Sequence, residues 1–281
     1  MQGRIVSGEE IDVDDLVGSI AASPKYRVLD EATIERVARQ VAATGSARLD
    51  KRVRRELHHV LAAYHLSRFS LPTVDRLVAA IGRGASDEAV RAGCSEVLSW
   101  HATTRERYPL LSEGYYERLF AVTGAPRTVA DLAAAVHPFE WRWTQLPAES
   151  SYVAYDINRT FVVAADRYLR AEGAGRAEQR DLLVEPPIES VDLALFLMTY
   201  HCLEQQLPGA GWRVIERSPG RWSAVSLPVA SLGNRQRARF GILAGELEAR
   251  LTESGRRYLV QEWETERLYL IEQPAPTGAG G

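Results

Sequence analysis

Cysteine is scarce in this sequence: Cys94 and Cys202 are the only two in 281 residues. That excludes a disulfide framework and a cysteine-built metal cluster, and it suits a reducing cytoplasm. Long apolar runs are also missing. None reaches the roughly 18 residues that would span a bilayer. The opening stretch, MQGRIVSGEEIDVDD, is acidic and has no apolar signal core, so export is not expected and a cytoplasmic location is. Positive charge is not in excess, because 34 Lys and Arg face 37 Asp and Glu, for a net charge of -3. A protein that grips folded RNA usually shows a strongly basic face. The balance therefore argues against RNA, while leaving room for a local patch; the substrate expected is a small molecule. No internal repeat is present, and the only low-complexity stretch is the terminal PAPTGAGG, expected to be a frayed tail over 276–281.

What is present is the composition of a soluble globular protein, 46% hydrophobic and 25% charged. The first hundred or so residues carry helical periodicity. Asp30 is placed to cap a helix over 31–43, with Ile34, Val37 and Val41 on one face. A second helix is expected over 47–67. Its apolar face holds Val53, Leu57, Val60, Leu61 and Tyr64, and its other face is basic, with Lys51, Arg52, Arg54 and Arg55. Pro72 opens a third helix and Ser86 a fourth, running through Val97. The pattern then changes. A helix over 113–122 precedes strands at 128–132, 152–155, 177–181, 191–197 and 222–227. A helix over 158–170, capped by Asp156, falls among them, and a hairpin over 258–264 and 267–272 closes the chain. This predicts an α/β fold with a mostly parallel seven-stranded sheet, a C-terminal antiparallel hairpin and a helical N-terminal domain. The expected divisions are 1–108, helical, and 109–275, Rossmann-like.

In such a sheet the ligand sits past the C-terminal strand ends, where strand order reverses. Carboxylates recur there: Asp131 in TVADLAAAVHP, Asp156 in YVAYDIN and Asp181 in EQRDLL. A carboxylate after the second strand can accept both hydroxyls of a ribose, and one after the third can accept from an adenine amino group. Glycine is absent from the first turn, where Ala133, Ala134 and Ala135 stand instead. A pyrophosphate would be poorly served by that turn. S-adenosylmethionine, which has no phosphate, could still be held, and a fold that has lost its ligand is the alternative.

These segments resemble one family. SPKYRVLDEATIERVA, RLDKRVRRELHHVLAAY, HATTRERYPLL, TVADLAAAVHP, YDIN, QRDLL, VDLALFLMTYHCLEQQ and SLPVASLGNR follow, in order, motifs of the aminoglycoside-resistance 16S ribosomal RNA guanine-N7 methyltransferases. The resemblance covers nearly the whole chain. It implies a class I methyltransferase-like domain and S-adenosylmethionine as ligand, with no metal. The departures fall near the expected chemistry. The family's motif glycine corresponds to Ala135, its asparagine before Pro138 to His137, and its lysine after the fourth strand to Met198. Phe139, Trp141 and Trp143 replace aliphatic residues, and Thr199-Tyr200-His201 replaces a Leu-Leu-Pro type stretch.

Those departures are also similar to a small group of methyltransferase-like enzymes that cyclise S-adenosylmethionine to azetidine-2-carboxylic acid and release methylthioadenosine. The leading expectation is therefore this cyclisation, serving natural-product biosynthesis. In it the substrate's own amine would displace the thioether, helped by a bent methionyl arm. Aromatic faces, with Phe139, Trp141 and Tyr200 as candidates, would hold the sulfonium by cation–π attraction, worth roughly 0.5–2 kcal/mol. Tyr200, Asn158 and His201 form the expected catalytic set, His201 as acceptor of the amine proton. Asp131, Ala133, His137, Phe139, Trp141, Asp156, Ile157, Asp181 and Leu182 form the expected cofactor-binding set. Methylation of 16S rRNA and a non-catalytic S-adenosylmethionine-binding module are the alternatives.

Overall fold

The computed structural model describes residues 12–45, 48–62, 69–229 and 234–274. Seven helices lead: α1 (Val13–Ala21), α2 (Glu31–Ala42), α3 (Leu49–Ala62), α4 (Leu71–Gly82), α5 (Asp87–Leu98), α6 (Ala102–Ser112) and α7 (Tyr115–Thr123). Then follow β1 (Thr128–Leu132), a 3-10 turn at His137–Glu140, α8 (Trp141–Thr144), β2 (Ser151–Asp156), α9 (Arg159–Ala171), β3 (Gly175–Gln179) and β4 (Val191–Phe196). The chain continues through α10 (Tyr200–Gln206), α11 (Ala210–Glu216), β5 (Gly220–Pro228) and α12 (Asn234–Glu253). It ends in the hairpin of β6 (Tyr258–Glu262) and β7 (Glu266–Glu272). The expected run of the second helix to Ser67, part of SLPVASLGNR and the tail over 276–281 lie outside the described residues.

The capping chemistry explains several boundaries. The Asp30 carboxylate accepts from Ala32 N–H at 3.0 Å, and Ser86 Oγ accepts from Ala89 N–H at 3.3 Å, each satisfying an orphan donor of a first turn. The cap of α9 differs from expectation. It is Asn158, whose side chain accepts from Thr160 N–H at 3.0 Å, and not Asp156. The carboxylate of Asp156 is thereby left for other partners.

The sheet runs β3-β2-β1-β4-β5-β7-β6, with the first five strands of the chain parallel and β7 inserted antiparallel between β5 and β6. This is the class I methyltransferase-like architecture expected from the alternation of strands and helices. Side chains alternate across the sheet. Val129, Tyr152, Ala154, Leu193 and Leu195 face one core with α4, α5, α6, α7 and α9. Ala130, Leu132, Val153, Ala194 and Phe196 face the other, with α10, α11 and α12. A third, smaller core joins α1, α2 and α3 through Ile20, Ile34, Val37, Val53 and Leu57.

On the first face lies a buried polar network. Arg107, 1% exposed, donates from Nε to Glu266 Oε2 at 2.8 Å and from Nη1 to Glu140 Oε1 at 3.5 Å. Tyr115 donates to Glu266 at 2.6 Å and Tyr116 to Glu140 at 2.8 Å. Burial, reinforced by these carboxylates, pushes both phenols far above their ordinary pKa, so they remain donors. Removing this guanidinium would leave the two carboxylates it pairs with uncompensated. Arg107→Leu is therefore expected to destabilise the fold by about 3–5 kcal/mol. Urea denaturation measures this, and a loss below about 1 kcal/mol would refute the role given to Arg107.

Candidate functional site

An open cleft lies past the C-terminal ends of β1 to β4, at the reversal of strand order between β1 and β4. Each strand sends its following loop into the cleft. β1 contributes Ala133, Ala134, Ala135 and His137, and β2 contributes Asp156, Ile157 and Asn158. Residues Arg180, Asp181 and Leu182 follow β3, and Leu197, Met198 and Thr199 follow β4. The opposite wall comes from the N-terminal helices: Val60 and Leu61 of α3, with His101, Thr103 and Thr104 at the start of α6.

The carboxylates are held by backbone. Asp156 accepts from Asn158 N–H at 2.7 Å and from Ala135 N–H at 2.9 Å. It thus joins the ends of β1 and β2 with one group. Burial raises its pKa to about 6, against the lowering effect of those two N–H groups. Asp181 is 3% exposed and accepts from Leu183 N–H at 2.8 Å and from Arg36 Nε at 2.9 Å. Both carboxylates keep unused lone pairs for a ligand.

The glycine-free turn has a conformational cost. Among the described residues four non-glycines have positive φ, and three of them, Ala133 (58°), Ala135 (46°) and Met198 (57°), line the cleft. Such left-handed residues cost about 1–2 kcal/mol each, and they persist where the surroundings hold them. Here Ala135 is held by the bond from its N–H to Asp156, and Ala134 N–H donates to Tyr155 O at 2.9 Å.

Of the expected catalytic and cofactor-binding sets, the fold brings Ala133, His137, Asp156, Ile157, Asn158, Asp181 and Leu182 to the cleft. The others lie away from it. Strand alternation turns Asp131 under the sheet, where Tyr152 donates to it at 2.6 Å and His137 Nδ1 lies 3.3 Å away. Phe139 is fully buried and stacks on Tyr168, with ring centroids 4.7 Å apart. Trp141 meets Tyr152 edge-on at 5.8 Å. Tyr200 is buried in the core of the opposite face, its ring so close to Gly211 that a Cβ there would lie 2.7 Å from it. His201 is buried against Phe240, centroids 5.2 Å apart. The proposed ring-lined wall around a sulfonium is thus not assembled from Phe139, Trp141 and Tyr200, because a 3-10 turn and a helix start direct those rings into packing. Sequence reasoning passed over Thr103 and Thr104 as site residues. HATTRERYPLL was singled out as a segment, but only the fold brings α6 against the sheet.

The fold and the cleft together define a protein of the class I methyltransferase architecture. The family model for ribosomal RNA methyltransferase (FmrO) matches residues 22–271, and the chain belongs to that family. A 16S rRNA (guanine(1405)-N(7))-methyltransferase of Micromonospora echinospora is 33% identical over 95% of this chain and 99% of its own length. Its counterpart from Frankia casuarinae is 32% identical over 95% and 96%. The solved structure of the 16S rRNA methylase RmtB matches with a TM-score of 0.75 at 23% identity, covering 95% of this chain and all of that one. RmtF, solved in complex with S-adenosyl-L-homocysteine, matches with a TM-score of 0.74 at 23% identity, over 94% of this chain and all of that one.

These findings overturn the leading sequence-based expectation. Cyclisation of S-adenosylmethionine to azetidine-2-carboxylic acid, with its place in natural-product biosynthesis, is replaced by the methyltransferase reading, because the relatives matched over nearly the full length are rRNA methyltransferases. The likeness to the cyclising group is not supported. Among its motivating departures, His137 sits between the buried carboxylates of Asp131 and Glu140, and Phe139 and Trp141 pack on tyrosines. No helix among the described residues is long and apolar enough to cross a membrane.

The strained turn yields a stability prediction. In a helix Ala→Gly costs about 0.5–1 kcal/mol, whereas at Ala135 the relief of left-handed strain offsets that loss. Ala135→Gly is expected to leave the melting temperature unchanged or raise it. A drop of several degrees by calorimetry would mean that the turn is not strained as described.

Proposed function

We propose that this chain transfers a methyl group from S-adenosylmethionine to N7 of a guanine in 16S rRNA. The observation that carries this reading is the 33% identity over 95% of the chain to a protein named for that reaction. The chemistry fits the cleft. Guanine N7 bears an in-plane lone pair and no proton, so the attacking atom requires no general base, and a site without one suffices. S-adenosylmethionine would supply the electrophilic methyl group. The chain's residues bind, orient and exclude water.

In this reading Asp156 accepts from the ribose hydroxyls and Asp181 from the adenine amino group. Ile157 and Leu182 flank the base, and the Ala133–Ala135 turn supports the methionyl arm. His137 and Asn158 stand at the wall nearest that arm. The division into a helical part, 1–108, and a cofactor-binding part, 109–275, belongs to the same proposal, with α4 to α6 sharing a core with the sheet. RNA replaces a small molecule as the acceptor. The overall charge of -3 does not oppose this, because local cations decide phosphate contacts. On α3, Lys51 and Arg55 are exposed, with Arg55 paired to Glu56 at 3.0 Å and Arg54 engaged by Asp50 at 2.7 Å.

Incubating the purified protein with 30S subunits and methyl-tritiated S-adenosylmethionine is expected to label 16S rRNA, with 7-methylguanosine recovered on digestion. Unlabelled rRNA from a protein that binds the cofactor would overturn the reading.

The raised pKa of Asp156 gives a second test. An ionised carboxylate accepts from the ribose hydroxyls more strongly than a protonated one, so binding favours the deprotonated form. Affinity for S-adenosylhomocysteine is expected to rise as pH increases through about 6 and to level off above it. Asp156→Asn should flatten that profile and weaken binding at pH 8 by roughly tenfold or more, the loss of a hydrogen bond to a charged group. Calorimetric titration across pH decides it. A variant whose profile follows the wild type would place the titrating group elsewhere.

A further inference from the structure

Arg36, on α2, lies 145 residues from Asp181 in sequence, yet its Nε donates to Asp181 Oδ2 at 2.9 Å. Its Nη2 donates to Gln206 Oε1 at 2.9 Å, and Gln206 lines the cleft. The guanidinium side chain is only 10% exposed and Asp181 3%, so this is a shielded, fixed contact and not a surface pair. The planar fork of arginine suits the task, because one group fixes two acceptors in a set geometry. The other oxygen of Asp181 is fixed by Leu183 N–H at 2.8 Å. The carboxylate is therefore held from one side by its own loop and from the other by α2.

The same stretch of chain is tied to the neighbouring strand end. Leu29 bridges Asn158, Asp30 N–H donates to Ile157 O at 2.9 Å, and Arg159 N–H donates to Val28 O at 2.7 Å. The segment that starts α2 thus grips the loop after β2, and the helix it starts grips the loop after β3. These are the two loops that an adenosyl group would bridge.

We propose that Arg36 is a positioning residue for adenine recognition. It holds the Asp181 carboxylate in the orientation that accepts from the 6-amino group, so selectivity for adenine is partly set by α2 and not only by the sheet. This rests on the reading that the cleft binds S-adenosylmethionine, and it goes beyond that reading by naming a residue outside the cleft lining that governs which nucleoside is accepted. A carboxylate fixed in this way discriminates against a base with an oxo group at the same position, because two acceptors then face each other. One that can rotate discriminates less.

The experiment compares S-adenosylhomocysteine with S-inosylhomocysteine by calorimetric titration of the full chain. The wild type is expected to prefer the adenosyl compound. Arg36→Met should lower its affinity roughly tenfold, as for one lost charge-assisted contact, while leaving S-inosylhomocysteine within about twofold. Arg36→Lys should restore only part of the preference, having the charge without the fork. In an Asp181→Asn background, Arg36→Met should leave the ratio of the two affinities unchanged, since its effect passes through that carboxylate. An equal loss of both ligands in Arg36→Met would show a merely structural role and overturn the proposal. Persistence of the Arg36→Met effect on the ratio in the Asp181→Asn background would overturn it too. Failure of the wild type to bind S-adenosylhomocysteine would instead overturn the cofactor reading, and this inference with it.

Discussion

The buried chain of charge from β1 to β7 is the constraint on which the molecule depends. Asp131, His137, Glu140, Arg107 and Glu266 are all nearly inaccessible, and Tyr152, Tyr116 and Tyr115 donate into their carboxylates. Two carboxylates beside one guanidinium, with a third against His137, are costly to bury, so every member must be placed for the others to be tolerated. That requirement locks α6 and α7 to the sheet and fixes the 3-10 turn at His137–Glu140. The turn in turn sets how the chain leaves β1, and so the shape of the cleft's floor.

Upon that floor the cleft is assembled from strand ends and closed by helices. Asp156 draws together the loops after β1 and β2 through two backbone N–H bonds. Arg36 draws the loop after β3 toward α2 and α10. Strain at Ala133, Ala135 and Met198 collects at the same place, which is where a fold tolerates it when surrounding bonds over-determine the backbone. The cleft is in this sense a product of both the sheet and the N-terminal helices, and the guanine-N7 methylation proposed for it draws on both.

Much of this was legible beforehand. The caps at Asp30 and Ser86, the strand at 128–132 and the closing hairpin follow from local patterning, and the ordered motifs pointed to the correct family. The strand pattern placed Asp156 and Asp181 at the ends of parallel strands, and the fold brings both to the cleft. The aromatic residues misled. Phe139, Trp141 and Tyr200 are near the site in sequence, but which way a ring points depends on a single turn's geometry and on the neighbours it packs against. Read as ligands, they favoured a cyclisation that the full-length relatives contradict.

The sequence by itself determined the periodicities, the caps at Asp30 and Ser86, the α/β order and the carboxylates that follow the second and third strands, because these depend on bonds and contacts within a few residues. Only the tertiary structure decided that Asp131 turns inward, that Asn158 and not Asp156 caps α9, that β7 inserts between β5 and β6, and that Arg36 meets Asp181. Asp131 and Arg36 are settled by partners brought from distant parts of the chain, in a buried setting where an unpartnered charge is expensive. No local pattern can announce which distant partner will satisfy it.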